Sequence, residues 1–221
     1  MRKYEKYKDS GVEWIGEVPE HWENLRLRLT CEFRNGYTPS KANPNFWENG
    51  SIPWYRMDDI RECGRRLNKA KQYVSEIAVK GQGLFEAGSF ILATTATIGE
   101  HAILIVDSLA NQQFTNLKIR KSLKHKLLCS SFLFYYLYVI DDFCKSTAKE
   151  STFPAVDMEQ LKNFHVVFPS EQEQNIIASY LDSKTSTIDS QISIAHKRID
   201  LLKELKSSLI TNVVTGKIKV C

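Results

Sequence analysis

SEQEQNIIASYLDSKTSTIDSQISIAHKRIDLLKELKSSLITNVVTG, residues Ser170 to Gly216, decides how this chain is built. Pro169 precedes it, and Ser170 with Glu173 three residues on has the spacing of a capping box. Glu171 and Glu173 place negative charge at the positive end of the helix dipole. Gly216 follows Val213, Val214 and Thr215, where a C-terminal stop is expected, and no Gly or Pro interrupts the interior. The spacing predicts one long helix. Leu181, Ile188, Ala195, Leu202 and Leu209 recur every seventh residue, and Ile192 and Ile199 stand three before Ala195 and Leu202. Thr185 and Lys206 fill the same register more poorly. Such a seam wants a partner helix with a matching stripe. At ~1.5 Å per residue, about 44 helical residues make a rod of roughly 66 Å, longer than a small domain. A coiled coil with another chain is therefore the leading expectation, and a helix lying along its own domain the alternative.

Outside the helix, about 170 residues remain, enough for one core. The chain has 221 residues, 43% of them apolar, so this bulk is expected to be globular. The net charge of +4 permits a nucleic-acid partner without requiring one. Cys31, Cys63, Cys129, Cys144 and Cys221 are odd in number and have no C-x-x-C spacing, which points to free thiols. Met1 to Lys8 is charged and lacks the apolar stretch of a signal peptide, and Phe132 to Ile140 is too short to span a bilayer. A cytoplasmic protein with no membrane partner is expected.

The N-terminal stretch Lys8 to Trp22, KDSGVEWIGEVPEHW, is broken into turns by Gly11, Gly16 and Pro19 and anchored by Trp14, Ile15, Val18 and Trp22. Leu25 to Phe33 reads as a strand or a short helix. Asn35-Gly36 makes a turn, and Thr38-Pro39-Ser40 and Asn43-Pro44-Asn45 an open loop. Ile52 to Tyr55 reads as a short buried strand. Arg61, Arg65, Arg66, Lys69 and Lys71 make a basic stretch with Glu62 alone against it, either a solvated loop or a phosphate-facing patch. Phe90 to Ala93 and Ala102 to Val106 read as a hairpin-like pair around the small-residue loop Thr94 to Gly99. Leu117 to Arg120 is a further strand, and Lys118, Arg120, Lys121, Lys124 and Lys126 form a second basic cluster. Leu127 to Phe143 reads as a buried helix, Lys149 to Pro154 as a loop, Met158 to Phe164 as a short helix or turn, and His165 to Pro169 as a short strand.

Catalytic patterns are missing. The chain has no G-x-x-x-x-G-K-[ST] loop, no G-x-G-x-x-G and no G-x-S-x-G elbow. His125 and Cys129 have a spacing that could put them on one helix face, but two ligands do not close a zinc site. The triplets Asp182-Ser183-Lys184 and Glu204-Leu205-Lys206 lack a partnering acid and read as helix surface. Nothing supports Cys144 as a nucleophile. No catalytic residue, metal or cofactor is expected, and the chain reads as a binding module.

The order of several short motifs resembles one family. Lys8 to Trp22 looks like the opening signature of the specificity (S) subunits of type I restriction-modification systems. The resemblance continues through Gly36-Tyr37-Thr38-Pro39-Ser40, Ile52-Pro53-Trp54, Ala93 to Gly99 and Asn111-Gln112. It ends with Glu171-Gln172 opening the long helix and with Leu209-Ile210 and Thr215-Gly216-Lys217-Ile218 closing it. The resemblance implies a non-catalytic, DNA-binding subunit that recruits adenine-methylating modification subunits and restriction subunits. Family members usually hold two recognition domains, and their two long helices pair antiparallel. Here one domain and one helix are present, so a half-sized subunit that dimerises is expected.

The expected fold is α+β, with a mixed recognition domain over residues 1–168 and the helix region over 169–221. The helix is expected to pair as an antiparallel coiled coil in a homodimer through Leu181, Ile188, Ile192, Ile199, Leu202 and Leu209. Candidate contacts to double-stranded DNA are Tyr37, Thr38, Ser40, Lys41 and Asn45; Arg61, Arg65, Arg66, Lys69 and Lys71; and Thr94, Thr95 and Thr97. A coiled-coil adaptor that binds only protein is the alternative, supported by the modest net charge.

Overall fold

The computed structural model describes residues 3–79, 81, 83–121, 129–147 and 154–220. It divides into two units, Met1–Ile176 and Ile177–Cys221.

The first unit opens with a small hairpin. Strands β1 (Tyr7–Asp9) and β2 (Glu17–Pro19) pair antiparallel, and Gly11 and Gly16 take the positive φ values that the turn between them needs. Trp14, at the tip, stacks on Phe164 with ring centroids 5.0 Å apart. Leu25 to Phe33 turns out to be strand, helical turn and strand: β3 (Glu23–Arg26), α1 (Leu27–Thr30) and β4 (Cys31–Asn35). The turn forms because Leu27 and Thr30 are both fully buried, and the Thr30 hydroxyl donates back to the Leu27 carbonyl at 2.9 Å.

Next come β5 (Ile52–Tyr55), α2 (Met57–Cys63), β6 (Arg66–Leu67) and β7 (Tyr73–Val74). They are followed by β8 (Phe90–Ala93), β9 (His101–Leu104), β10 (Leu109–Ala110) and β11 (Phe114–Ile119). Helix α3 (Ser130–Thr147), α4 (Met158–Asn163) and β12 (His165–Phe168) lead to α5 (Glu171–Val214). The expected strands at 52–55, 90–93 and 165–168 are present, and β8 and β9 pair as the antiparallel hairpin. Helix α3 runs on to Thr147; Leu127 and Leu128 of the expected helix, and the loop at 149–153, lie outside the described residues.

The main sheet has five strands in the order β4-β11-β8-β9-β6, antiparallel except for β6 beside β9. A three-stranded sheet, β10-β5-β7, adjoins it in sequence, and β12 pairs with β3. All residues of β8 and β9 are buried, which is why they read as continuous apolar runs rather than as an alternation. Ile91, Ala93, Ala102, Leu104 and Phe114 pack with Tyr55, Met57, Ile60 and Phe85 in one core cluster. On β9, His101 lies 6.0 Å from the Phe134 ring and 4.6 Å from the Tyr138 ring of α3.

The start of α5 belongs to the first unit. The Glu173 N–H donates to Ser170 Oγ at 3.4 Å, but the Glu173 carboxylate faces the N-terminal arm, accepting from the Tyr4 hydroxyl at 2.6 Å and meeting His21 Nε2 at 2.7 Å. Gln174 is fully buried and bridges Pro169 and Cys129 through its side-chain amide.

The second unit holds the remainder of the 44-residue α5. It ends in a Schellman motif: Lys217 N–H donates to the Asn212 carbonyl at 2.8 Å and Gly216 N–H to Val213 at 3.1 Å, with Gly216 at φ +72°. On this single chain Ile188, Ile192, Ile199, Leu202 and Leu209 are exposed, and Leu181 is half-buried. No helix among the described residues is long and apolar enough to cross a membrane.

Candidate nucleic-acid interface

One end of the main sheet gathers segments that are distant in sequence. There β4 ends, since Asn35 pairs with Thr115; β8 ends, since Ala93 pairs with Phe114; and β9 begins at His101, opposite Leu92. Strand β6 enters at the same end, with the Ile103 N–H donating to the Arg65 carbonyl. Strand β5 leaves beside β10, and the Asn111 N–H donates to the Tyr55 carbonyl at 3.0 Å. Five stretches therefore meet here: Gly36 to Ser40, Arg56, Arg65, Thr94 to Glu100, and Asn111 to Gln113.

Their approach is close. A Cβ on Gly36 would stand 2.1 Å from the Asn111 carbonyl oxygen, so only glycine fits. Behind this seam Thr94, Thr115 and Asn35 link in a chain of side-chain hydrogen bonds at 3.1 Å each. In the β8–β9 loop Ala96 has φ +62°, a conformation costly for a residue with a Cβ. It is held by its N–H to the Pro154 carbonyl at 3.3 Å and by the bridge between Thr95 and Ala155.

The candidate side chains fall into two groups. Several are committed to the fold. Thr94 is buried, with its hydroxyl on Thr115, so it is withdrawn as a base contact. The Tyr37 hydroxyl donates to the Ala78 carbonyl at 3.0 Å. Arg65 pairs with Glu100 at 3.0 Å, meets the His101 ring at 2.9 Å, and lies 4.8 Å from the centre of the Tyr138 ring. The Lys71 ammonium pairs with Glu62, and its backbone N–H donates to Asp59. Arg66 is exposed and sits over Phe134 at 4.9 Å.

Others are displayed. Ser40, Lys41, Asn45, Arg61 and Lys69 are exposed, and Thr38, Thr95 and Thr97 are half-buried. Among the described residues, no ion pair engages Lys41, Arg61 or Lys69. In the second basic cluster, Lys118 pairs with Glu86 at 2.5 Å and Arg120 caps the Arg28 carbonyl, while Lys124 and Lys126 lie outside the described residues.

Two displayed residues escaped the candidate set. Exposed Arg56 follows β5 directly and is held by buried Asp59, whose other oxygen takes the Lys71 N–H; both distances are 2.7 Å. Gln112 is exposed at the tip between β10 and β11. The three successive amides Asn111-Gln112-Gln113 were the available signal.

Burial, then Asp141, pushes the Cys144 thiol up to about 12, so it is a neutral core group. No group of three or more His, Cys, Asp or Glu among the described residues is placed to hold a metal ion, and His125 lies outside them. His101 is fully buried; burial, then the Arg65 guanidinium, pulls its imidazole down to about 3. The unfolded chain binds a proton below the ordinary histidine value of 6.5 and the folded chain does not, so stability falls as pH falls through that window. From pH 7.5 to 5 the loss at this one site is expected to be about 2 kcal/mol. Urea unfolding across that range checks it: His101→Gln is expected to flatten the slope, and parallel slopes would show a different origin.

Comparison with known proteins adds the family. A family model described as the type I restriction modification DNA specificity domain matches residues 19–204. The specificity subunit of the type I restriction enzyme EcoprrI of Escherichia coli is 46% identical over 147 residues, covering 66% of this chain and 36% of that protein. The specificity subunit of MjaIX of Methanocaldococcus jannaschii is 28% identical over 204 residues, covering 90% and 45%. The chain thus spans less than half the length of these relatives. Among solved structures, one concerned with complex assembly and conformational transition of the type I R-M system aligns at TM-score 0.70 and 18% identity, covering 93% of this chain and 48% of that one. The HsdS subunit of Thermoanaerobacter tengcongensis aligns at 0.60 and 18%, covering 83% and 41%. At such identity the structures establish likeness of fold.

Proposed function

The chain belongs to the type I restriction modification DNA specificity domain family, and from that premise we propose that it reads double-stranded DNA and directs modification and restriction subunits to a bipartite target, itself catalysing neither methylation nor cleavage. The observation that carries this reading is the family match over residues 19–204, joined to a sheet end where five stretches display amides, hydroxyls and arginine. Such groups suit base edges and phosphates. Residues 1–168 form the recognition domain in this reading, and residues 169–221 the spacer through which two copies pair. Thr38, Thr95 and Thr97 stand at the reading end with Arg56 and Gln112. Ser40, Lys41, Asn45, Arg61, Arg66 and Lys69 supply flanking contacts. A protein that works on cellular DNA in this way acts in the cytoplasm.

The test is binding of the purified chain to random-sequence duplex at rising salt. Affinity is expected to fall steeply, with a log–log slope of about −0.9 for each phosphate contact. Absence of binding at low salt, with modification subunits present or absent, would instead favour a protein-only adaptor.

A further inference from the structure

We propose that Asp59 is a positioning residue for DNA contact: its buried carboxylate joins the backbones of Arg56 and Lys71, and so holds Arg56 and Lys69 out together as a clamp on the phosphate backbone. This rests on the DNA-reading role proposed above.

Arg56 is an exposed residue in a buried run, with Tyr55 and Met57 buried on either side of it. Its backbone closes a reciprocal pair with Asp59. The Arg56 N–H donates to Asp59 Oδ2 at 2.7 Å, and the Asp59 N–H donates to the Arg56 carbonyl at 3.1 Å. That much would cap α2 and no more. The other carboxylate oxygen, Oδ1, accepts the Lys71 N–H at 2.7 Å, twelve residues along the chain.

This second bond acts on a different part of the fold. Residues Asn68 to Gln72 link β6 of the main sheet to β7 of the three-stranded sheet. The link is fixed at its start, where the Ile105 N–H donates to the Leu67 carbonyl at 2.9 Å, and at its end, where the Trp54 N–H donates to the Gln72 carbonyl at 3.0 Å. Between them Ala70 packs half-buried against the cluster that holds Met57 and Ile60, and Lys69 and Lys71 on either side of it are exposed. Asp59 is 1% exposed, and a buried carboxylate is costly unless its oxygens are occupied. A carboxylate supplies the two acceptors that these two N–H groups need; an amide of the same shape supplies one.

Arg56 Nη2 lies 3.9 Å from Asp58, and Lys71 pairs with Glu62, both at the surface. An exposed pair as long as the first is weak, so the Arg56 guanidinium remains available to a phosphate. Phosphate contacts position a protein on duplex of any sequence, so the clamp acts on affinity and register and not on base choice.

The experiment measures binding of the purified full chain to random-sequence duplex over a series of salt concentrations. Arg56→Ala removes one phosphate contact and is expected to lower the log–log slope by about 0.9, which is roughly fivefold in affinity near ~0.15 M salt. Lys69→Ala is expected to do the same. Asp59→Asn leaves both cations in the chain, yet the slope is expected to fall by the equivalent of one to two contacts. Arg56→Ala added to Asp59→Asn should then cost less than it does in the wild type, because the two changes share one interaction. A partly unfolded sample binds with fewer active molecules but with the same slope, so the slope separates positioning from support of the fold. Hydrogen exchange on the wild type needs no variant: the Arg56 and Lys71 amides are expected to exchange slowly, and more slowly again with duplex bound. A slope that any of the three substitutions leaves unchanged overturns the proposal, and so do two amides indifferent to duplex. A wild type that binds no duplex at low salt overturns the DNA-reading role itself, and this inference with it.

Discussion

Leu202→Asp is expected to convert a dimer of this chain into monomers while residues 1–168 stay folded. Leu202 is 57% exposed on the single chain, Ile188 is 53%, and Ile192 and Ile199 are each 48%. Together with Leu209, at 54%, they form a line along more than twenty residues of one helix. Scattered apolar residues on a surface are ordinary, whereas a continuous line at heptad spacing marks a contact. Covering a Leu or Ile contributes ~1.5–3 kcal/mol. An aspartate in the middle of such a contact must either be buried unpaired, at a cost of several kcal/mol, or hold the helices apart. Light scattering distinguishes the outcomes: the wild type is expected at twice the chain mass of 25.4 kDa, and the variant at that mass. A dimer that survives Leu202→Asp would remove this stripe from the interface, and a monomeric wild type would remove the interface itself.

The features legible in the sequence were those set by neighbours in sequence. Helix α5 begins and ends where Ser170 and Gly216 place it, because caps depend on residues within one turn. Strands β5 and β8 were visible as short apolar runs. The two-residue strands β6, β7 and β10 were not, since two residues carry no periodicity and the pairing is decided by distant partners. The candidate site shows the same division. The segments at Thr38 and at Thr94 to Thr97 read as polar turns, but the sequence does not distinguish Thr94 from Thr95; the Thr115 hydroxyl beside Thr94 does. Arg65 reads as one member of a basic stretch because its partners, Glu100 and His101 at the start of β9, come beside it only when β9 pairs with β6. Gln112 is visible in the sequence within the run of three amides, but its hydrogen-bond partner is not, because Thr38 lies 74 positions away.

The remaining expectation concerns the spacing of the DNA target. Two copies of one chain most often associate about a two-fold axis with the same patch on each. If the helices pair antiparallel, the two recognition domains, each continuous in sequence with the N-terminus of its own helix, are held apart by a rod of ~66 Å. Thr185 and Lys206, poor seam residues, then fall toward the ends of the pair, where water reaches them. Identical domains related by a two-fold axis read identical half-sites on opposite strands, with untouched base pairs between. Adding one base pair to that gap moves one half-site by ~3.4 Å and turns it by roughly 35°, since a turn of duplex holds about 10–10.5 base pairs in 34–36 Å. A rod of fixed length follows neither change without strain, so the second domain loses its site and the complex is left with the affinity of one. The expected loss is about 100-fold or more, the usual gain from linking two binding modules. Binding of the full chain to duplexes whose gap differs by one or two base pairs measures it, with the symmetric motif from selection as reference. Replacing one half-site by unrelated sequence should cost as much as the gap change, because both leave a single domain engaged. Affinity indifferent to the gap would mean that the domains are not held by a rigid antiparallel pair. A continuous or asymmetric motif read by this chain alone would exclude the two-fold arrangement.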